Sequence, residues 1–197
     1  MEYKKINTLL DSAKHAQSMR NNTIFVENFD EEDFYFFQYY IDRFIKLDKI
    51  RKNKTPIKID ISSYGGNLNN IFGMLSILES LKEKGYIIKT HCSSKAMSAG
   101  LFLLAIGGSK GYRTAGKYAE LLLHEQRNFT YGISTHIDKK REYEYSLKTV
   151  DLLSKLMEDN TNTSKEQFMN KIDGKEDWVV YAYESIEQNL GWIDKII

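Results

Sequence analysis

Residues 57–124 alternate between strand and helix patterns, and this alternation constrains the possible folds more than any other feature of the sequence. Isoleucine occupies every second position of residues 57–61, which is the two-residue period of a strand. The later patterns are, in order, a helix over 69–84, a strand over 86–92, a helix over 98–106 and a strand over 118–124. Strands that alternate with helices form crossover units, so the sequence predicts an α/β fold with a mostly parallel sheet.

The sequence on either side of this region adds further elements and no second domain. Before it, the patterns predict a short helix over 5–16, a loose stretch over 20–22, a strand over 23–26 and a helix from about 30 to 50. After it, they predict a long charged helix over 135–160 and shorter helices over 165–171 and 183–189. We expect an N-terminal segment, residues 1–22, and a single domain, residues 23–197.

Composition excludes several classes of function. The net charge of +1 gives no general reason to expect nucleic acid or an anionic membrane as a partner. The single cysteine, Cys92, cannot form an intramolecular disulfide, and no Cys/His spacing indicates a zinc site, so we expect no metal and no cofactor. The longest apolar stretch, residues 101–106, is too short to span a membrane, and residues 4 and 5 are not followed by a signal-peptide core. These features favour a cytoplasmic protein.

Chemically useful residues follow three of the predicted strands. They lie in the loop of residues 63–67, in the loop of residues 94–99 and in the segment that begins at His124. Because the carboxyl ends of parallel strands meet at one edge of a sheet, these three segments are expected to lie together.

Ser98 lies at the start of the predicted buried helix, where nucleophilic chemistry is possible. A serine attacks a carbonyl when a base takes its proton and hydrogen-bond donors hold the oxyanion. The N–H of Ala99 is a helix-start donor without an intrahelical acceptor, and the helix dipole adds positive potential there. Gly65 and Gly66 offer further N–H groups without obstructing side chains. His124 is the only histidine that this layout brings to the same edge, so it is the candidate general base.

Each of these residues also has an ordinary structural explanation. Ser98 could be a helix N-cap, Gly65-Gly66 a turn and His124 a structural histidine, and only their joint placement favours catalysis. Lys95 could form a Ser/Lys dyad with Ser98. However, Lys95 lies only three residues before the serine on the same tight loop, so the lysine side chain is expected to point outward.

Three stretches carry the candidate residues in a recognisable order: IDISSYGG at 59–66, SKAMSAGLFLLA at 94–105 and LLLH at 121–124. With these motifs the chain resembles the ClpP family of serine peptidases, the proteolytic chambers of ATP-dependent Clp proteases. The resemblance extends from about Thr23 to residues 191–194. It implies a ClpP/crotonase-like fold, with Ser98 as nucleophile and His124 as base. It also implies an oxyanion hole formed by the N–H groups of Gly66 and Ala99.

The resemblance places the third triad residue, an acid, in a short segment before the last helix, here DGKEDW at 173–178. Asp177 is chosen by residue type. In the family, one residue usually separates the acid from a following aromatic residue. If Trp178 is that aromatic residue, the acid is Glu176. Asp173 is a further alternative because it keeps nearly the family's distance from His124.

The resemblance also implies an assembly and a substrate. Two stacked heptameric rings would enclose a chamber, with the helix over 135–160 at the contact between rings. An AAA+ unfoldase would dock outside and supply unfolded polypeptide. The chain departs from the family at Tyr64, where proline is usual, and at Glu125-Gln126, where Gln-Pro is usual. Both departures concern substrate alignment and suggest a divergent or phage-type member.

Three functions follow from these observations. The first is a serine endopeptidase that uses Ser98 and His124. The second is a non-catalytic ring subunit that serves assembly or unfoldase docking. The third is a crotonase-type protein that binds an acyl-CoA at similar backbone amides, but this function leaves the pairing of Ser98 with His124 unexplained.

Overall fold

A computed structural model describes residues 14–125, 135–173 and 177–197. The strands in these ranges form one sheet and are β1 (Thr23–Val26), β2 (Ile57–Ser63), β3 (Ile88–Met97), β4 (Arg113–Ala115), β5 (Glu120–Leu123), β6 (Trp178–Tyr181) and β7 (Lys195–Ile196). The main path runs β1-β2-β3-β4-β7, and β5 pairs with both β3 and β6. All pairings are parallel except that of β5 with β6. The predicted α/β fold with a mostly parallel sheet is therefore confirmed.

The helices lie close to where the sequence patterns predict them. They are α1 (Glu31–Arg51), α2 (Leu68–Glu83), α3 (Ala99–Phe102), which continues as a π-helical turn (Leu103–Gly107), α4 (His136–Asn160), α5 (Lys165–Asp173) and α6 (Ala182–Glu187). Side-chain caps set two of the starts: Asp30 accepts from the N–H of Asp33, and Thr135 forms a capping box with Asp138. In the described ranges, no helix combines the length and apolarity needed to cross a membrane.

The core lies on one face of the sheet. Ile57, Ile59 and Ile61 of β2 are fully buried, whereas the intervening residues face the other side. Helix α3 packs on this face, with Gly100 beside Ile61 and Ser63 of β2. Each such buried isoleucine contributes about 1.5–3 kcal/mol relative to an exposed one.

The structure corrects the prediction at several places. The expected loop of residues 94–99 is strand up to Met97, because residues 95–97 pair with residues 120–122 of β5. Strands β4, β6 and β7 are not predicted, since each has at most four residues and depends on a distant partner. At the N-terminus, residues 14–21 are helical, so the helix continues past the predicted end at residue 16. The rest of that predicted helix, residues 5–13, lies outside the described residues.

Arg113 connects three separate parts of the fold from a buried position. Its Nη1 donates at 2.9 Å to the carbonyl oxygens of Ala105, in the π-helical turn, and Asn160, at the end of α4. Its Nε and Nη2 donate to the carboxylate of Asp194, at 2.9 and 2.6 Å. The helix that begins after Ser98 is thus fixed to α4 and to the last strand.

Replacing Asp194 by Asn should lower the free energy of unfolding by about 3 kcal/mol, because it leaves the Arg113 guanidinium buried without its counter-ion. Burial acts to raise the pKa of Asp194, but the hydrogen bonds and charge of Arg113 outweigh it and hold the pKa below the usual value. This stabilisation is therefore present above about pH 4 and is lost as the pH falls through the lowered pKa. Urea unfolding should show the difference at pH 7 and a smaller one at pH 3. Equal stability at pH 7 would contradict the role of the ion pair.

Candidate active site

The carboxyl ends of β2, β3 and β5 border one cavity of about 730 Å³. Ser98, which follows β3, lines this cavity together with Gly66 and His124. The structure thus brings three of the residues predicted from the sequence to one place. Ala99 is fully buried as the first residue of α3, directly after Ser98.

Ser98 occupies a sharp turn between β3 and α3. Its backbone has φ 53° and ψ −119°, a region that residues other than glycine rarely adopt and that costs on the order of 1–3 kcal/mol. The Ser98 N–H donates to the carbonyl oxygen of Leu122 at 2.8 Å, which fixes the turn against β5. A strained serine at a strand-to-helix turn presents its hydroxyl to solvent rather than to its own helix. In agreement, Ser98 makes no side-chain capping bond to α3.

Gly65 lies directly against the Ser98 side chain. A Cβ atom on Gly65 would be 2.7 Å from the Ser98 Cβ and 3.3 Å from its Oγ, and the glycine has a φ of 106°. The adjacent Gly66 lies directly against the backbone of Asn28. A Cβ atom on Gly66 would be 2.0 Å from the Asn28 carbonyl oxygen. The Gly-Gly pair therefore allows the loop after β2 to approach the serine.

Two amide donors are available at this point. Within the described part of the chain, neither the N–H of Gly66 nor that of Ala99 has a hydrogen-bond acceptor. The Ala99 N–H belongs to the first turn of a helix, where such donors lack intrahelical acceptors. Both groups could therefore donate to a substrate oxygen.

His124 follows β5 and is half-buried. Its Nδ1 lies 2.5 Å from the carbonyl oxygen of Glu125. Because a carbonyl oxygen only accepts, Nδ1 must carry the proton in this arrangement. In the neutral imidazole, the other ring nitrogen, Nε2, then has a lone pair available, as a general base requires. The described hydrogen bonds do not join His124 to the Ser98 hydroxyl, although the two residues line the same cavity.

The three candidate acids lie in different parts of the structure, and only two of them are among the described residues. Strand β6 pairs antiparallel with β5, with Trp178 opposite Leu123. Continuing this register by one residue places Asp177 opposite His124. Asp173 is the last residue of α5, and Glu176 lies outside the described residues.

Helix α4 also contributes to the cavity, which the sequence analysis did not anticipate. Tyr145 and Leu153 line one wall, and the Tyr145 hydroxyl donates to Asn69 Oδ1 at the start of α2, at 3.0 Å. Phe102 and Phe168 make the same region apolar. In the sequence, the spacing of residues 145, 149 and 153 indicates that they share one face of the helix. The spacing does not indicate what that face contacts.

Other reactive side chains lie elsewhere or have other contacts. Lys95 Nζ lies 3.5 Å from the centre of the Tyr64 ring, which accounts for its direction without a Ser/Lys dyad. Cys92 is fully buried, and burial raises the pKa of its thiol to about 12, so it is not a nucleophile at neutral pH. Across the described ranges, no three His, Cys, Asp or Glu side chains are grouped as a metal site requires.

Comparison with known proteins agrees with this arrangement. The sequence profile described as Clp protease matches residues 14–197. The chain belongs to the Clp protease family. It is also similar to the ATP-dependent Clp protease proteolytic subunit 2 of Prochlorococcus marinus (strain MIT 9312), with 31% identity over 145 residues. That alignment covers 74% of this chain and 67% of the relative. Membership of the Clp protease family supports a peptidase.

The contact between Gly65 and Ser98 can be tested by Gly65→Ala, with Gly111→Ala as a matched control. Both glycines have a positive φ, 106° and 87°, so each substitution should cost about 1–2 kcal/mol of stability. A Cβ on Gly111 meets nothing within 4 Å, whereas one on Gly65 must displace Ser98. Peptidase activity should therefore fall about 100-fold in Gly65→Ala and stay near wild type in Gly111→Ala. Equal activity in the two variants would show that close packing at Ser98 is not needed.

Proposed function

We propose that this chain is a serine endopeptidase in which Ser98 is the nucleophile and His124 the general base. The observation that carries this proposal is the shared cavity, which is lined both by a serine on a strained turn and by a histidine whose Nδ1 is hydrogen-bonded. His124 Nε2 takes the Ser98 proton as Oγ attacks the peptide carbonyl, and then gives it to the leaving amine. Water activated in the same way hydrolyses the acyl-enzyme.

The N–H groups of Gly66 and Ala99 form the oxyanion hole in this proposal. Both lack an acceptor within the described chain; one belongs to the loop after β2 and the other to the first residue of α3. Preorganised donors of this kind stabilise the tetrahedral intermediate without having to reorient during the reaction.

Asp177 is the acid of the proposed triad. The β5–β6 register supports this choice, because Leu123 pairs with Trp178 and the next pair in the same register would be His124 with residue 177. In the productive arrangement, the Nδ1–H of His124 turns from the carbonyl of Glu125 to the Asp177 carboxylate. Catalytic hydrogen bonds are often incomplete until substrate binds, so the contact with Glu125 is compatible with this step.

We also propose that the chain assembles as two stacked heptameric rings and receives unfolded polypeptide from an AAA+ unfoldase. The name of its Prochlorococcus relative, an ATP-dependent Clp protease subunit, supports such a partner. Exposed apolar side chains on α4 support a contact between rings, since Ile137 and Tyr143 are each 65% exposed and Leu147 is 50% exposed. A helix that carries these residues on its surface is suited to pack against a second copy.

Replacing Ser98 by Ala should reduce hydrolysis of an unstructured fluorogenic peptide by about 10⁶-fold, because no other group replaces the nucleophile. Ser94→Ala is the matched control: it removes a hydroxyl from β3, the strand that leads to Ser98, and among the described residues this hydroxyl bonds only to Ser62 Oγ. Wild type and the control should also react with a fluorophosphonate probe at Ser98, as mass spectrometry would show.

Two results would overturn the proposal. Turnover by Ser98→Ala at the wild-type rate would exclude Ser98 as the nucleophile. Absence of both turnover and fluorophosphonate labelling in the wild type would instead favour the non-catalytic ring subunit.

A further inference from the structure

Tyr64 and Lys95 form a contact at the border of the candidate active site. The Tyr64 ring is 73% exposed and lines the same cavity as Ser98 and His124. Lys95 Nζ lies over this ring, 3.5 Å from its centre. Tyr64 immediately precedes Gly65, which packs against the Ser98 side chain. A positive charge is therefore held on a residue that lines the same cavity as the serine.

This ammonium is available to a ligand. Among the described residues, no carboxylate lies within ion-pair distance of Lys95 Nζ, even though Glu120 is opposite it in the β3–β5 register. A cation–π contact uses one face of the ring and leaves ammonium N–H donors for other acceptors. The half-buried position reduces screening by solvent relative to a fully exposed lysine.

We propose that Tyr64 and Lys95 form a subsite that binds a carboxylate side chain of the substrate. The inference rests on the proposed peptidase function and adds a substrate class to it: peptides with Asp or Glu near the scissile bond. Tyr64 and Ser98 line the same cavity, so a peptide that is cleaved at Ser98 passes the subsite with residues near the scissile bond. A carboxylate that binds there forms a charge-assisted hydrogen bond with Lys95.

The subsite holds one ammonium at one place, over the Tyr64 ring. The preference for a substrate carboxylate is therefore expected at one position of the peptide rather than throughout it.

The roles of the two residues can be separated. Lys95 supplies the charge, whereas Tyr64 holds the ammonium in place through its ring. Tyr64→Phe keeps a ring for the cation and should preserve the preference, but Tyr64→Leu removes the ring and should weaken it.

The test uses quenched fluorogenic peptides in which one Glu, or an uncharged Gln, is moved through the three positions on each side of the scissile bond. In the wild type, kcat/KM should be about three- to fivefold higher for Glu than for Gln at one position. The ratio should fall to about one in Lys95→Gln and in 0.5 M salt. Lys89→Gln should keep it, because Lys89 lies on the same strand over another ring, that of Tyr112, which unlike Tyr64 does not line the cavity.

A second measurement makes the result independent of turnover. Binding of the same peptides to Ser98→Ala, followed by fluorescence anisotropy, should show the same Glu preference and its loss when Lys95→Gln is added. A Glu-to-Gln ratio near one at every position, or a ratio that survives Lys95→Gln, would overturn this inference. If the Glu preference in binding is present but the wild type cleaves no peptide, the proposed peptidase function fails and the subsite stands.

Discussion

The hydrogen bond from the Ser98 N–H to the Leu122 carbonyl joins the end of β3 to β5, and the geometry of the candidate site depends on it. Strand β3 pairs with β4 through residues 90–92 and then with β5 through residues 95–97. The second pairing extends β3 to the point where the chain turns at Ser98. Serine and histidine are therefore placed by the same two strands, and their separation does not depend on a flexible loop.

The surrounding structure holds this junction in a strained conformation. Ser98 adopts a positive φ, and the helix that follows it begins with fully buried residues. Side chains from three elements satisfy carbonyl groups at the end of that helix: Thr90 bonds to Leu104, Arg113 to Ala105 and Lys82 to Ile106. Helix ends that are buried need such partners. Rigid support on both sides thus compensates for the cost of the turn.

Much of the fold follows from local sequence patterns. Strand β2 and helix α2 are predicted within a few residues, because their periodicity and the glycines that follow them act locally. The end of β3 and the short strands β4, β6 and β7 are not predictable in this way, since their pairing partners are distant in sequence. Long-range hydrogen bonding overrides local propensity at these positions.

The candidate site likewise contains residues that the sequence predicts and residues that it does not. Ser98, Gly66 and His124 could be grouped from the sequence because each follows a strand that ends at one edge of the sheet. The contact between Lys95 and Tyr64 could not, because it depends on the direction of two side chains, one from β3 and one from the loop after β2. The wall formed by α4 was missed for a similar reason, since its apolar spacing identifies a buried face without identifying its partner.

The choice of Asp177 as the acid of the proposed triad depends most directly on the strand register. Peptide hydrolysis by Asp177→Asn, Glu176→Gln and Asp173→Asn, measured as kcat/KM, compares the three carboxylates under the same conditions. If residue 177 faces His124 as the β5–β6 pairing indicates, Asp177→Asn should lose about 10⁴-fold in rate and the other two should stay near wild type. Full activity in Asp177→Asn, with loss in either of the others, would contradict this placement.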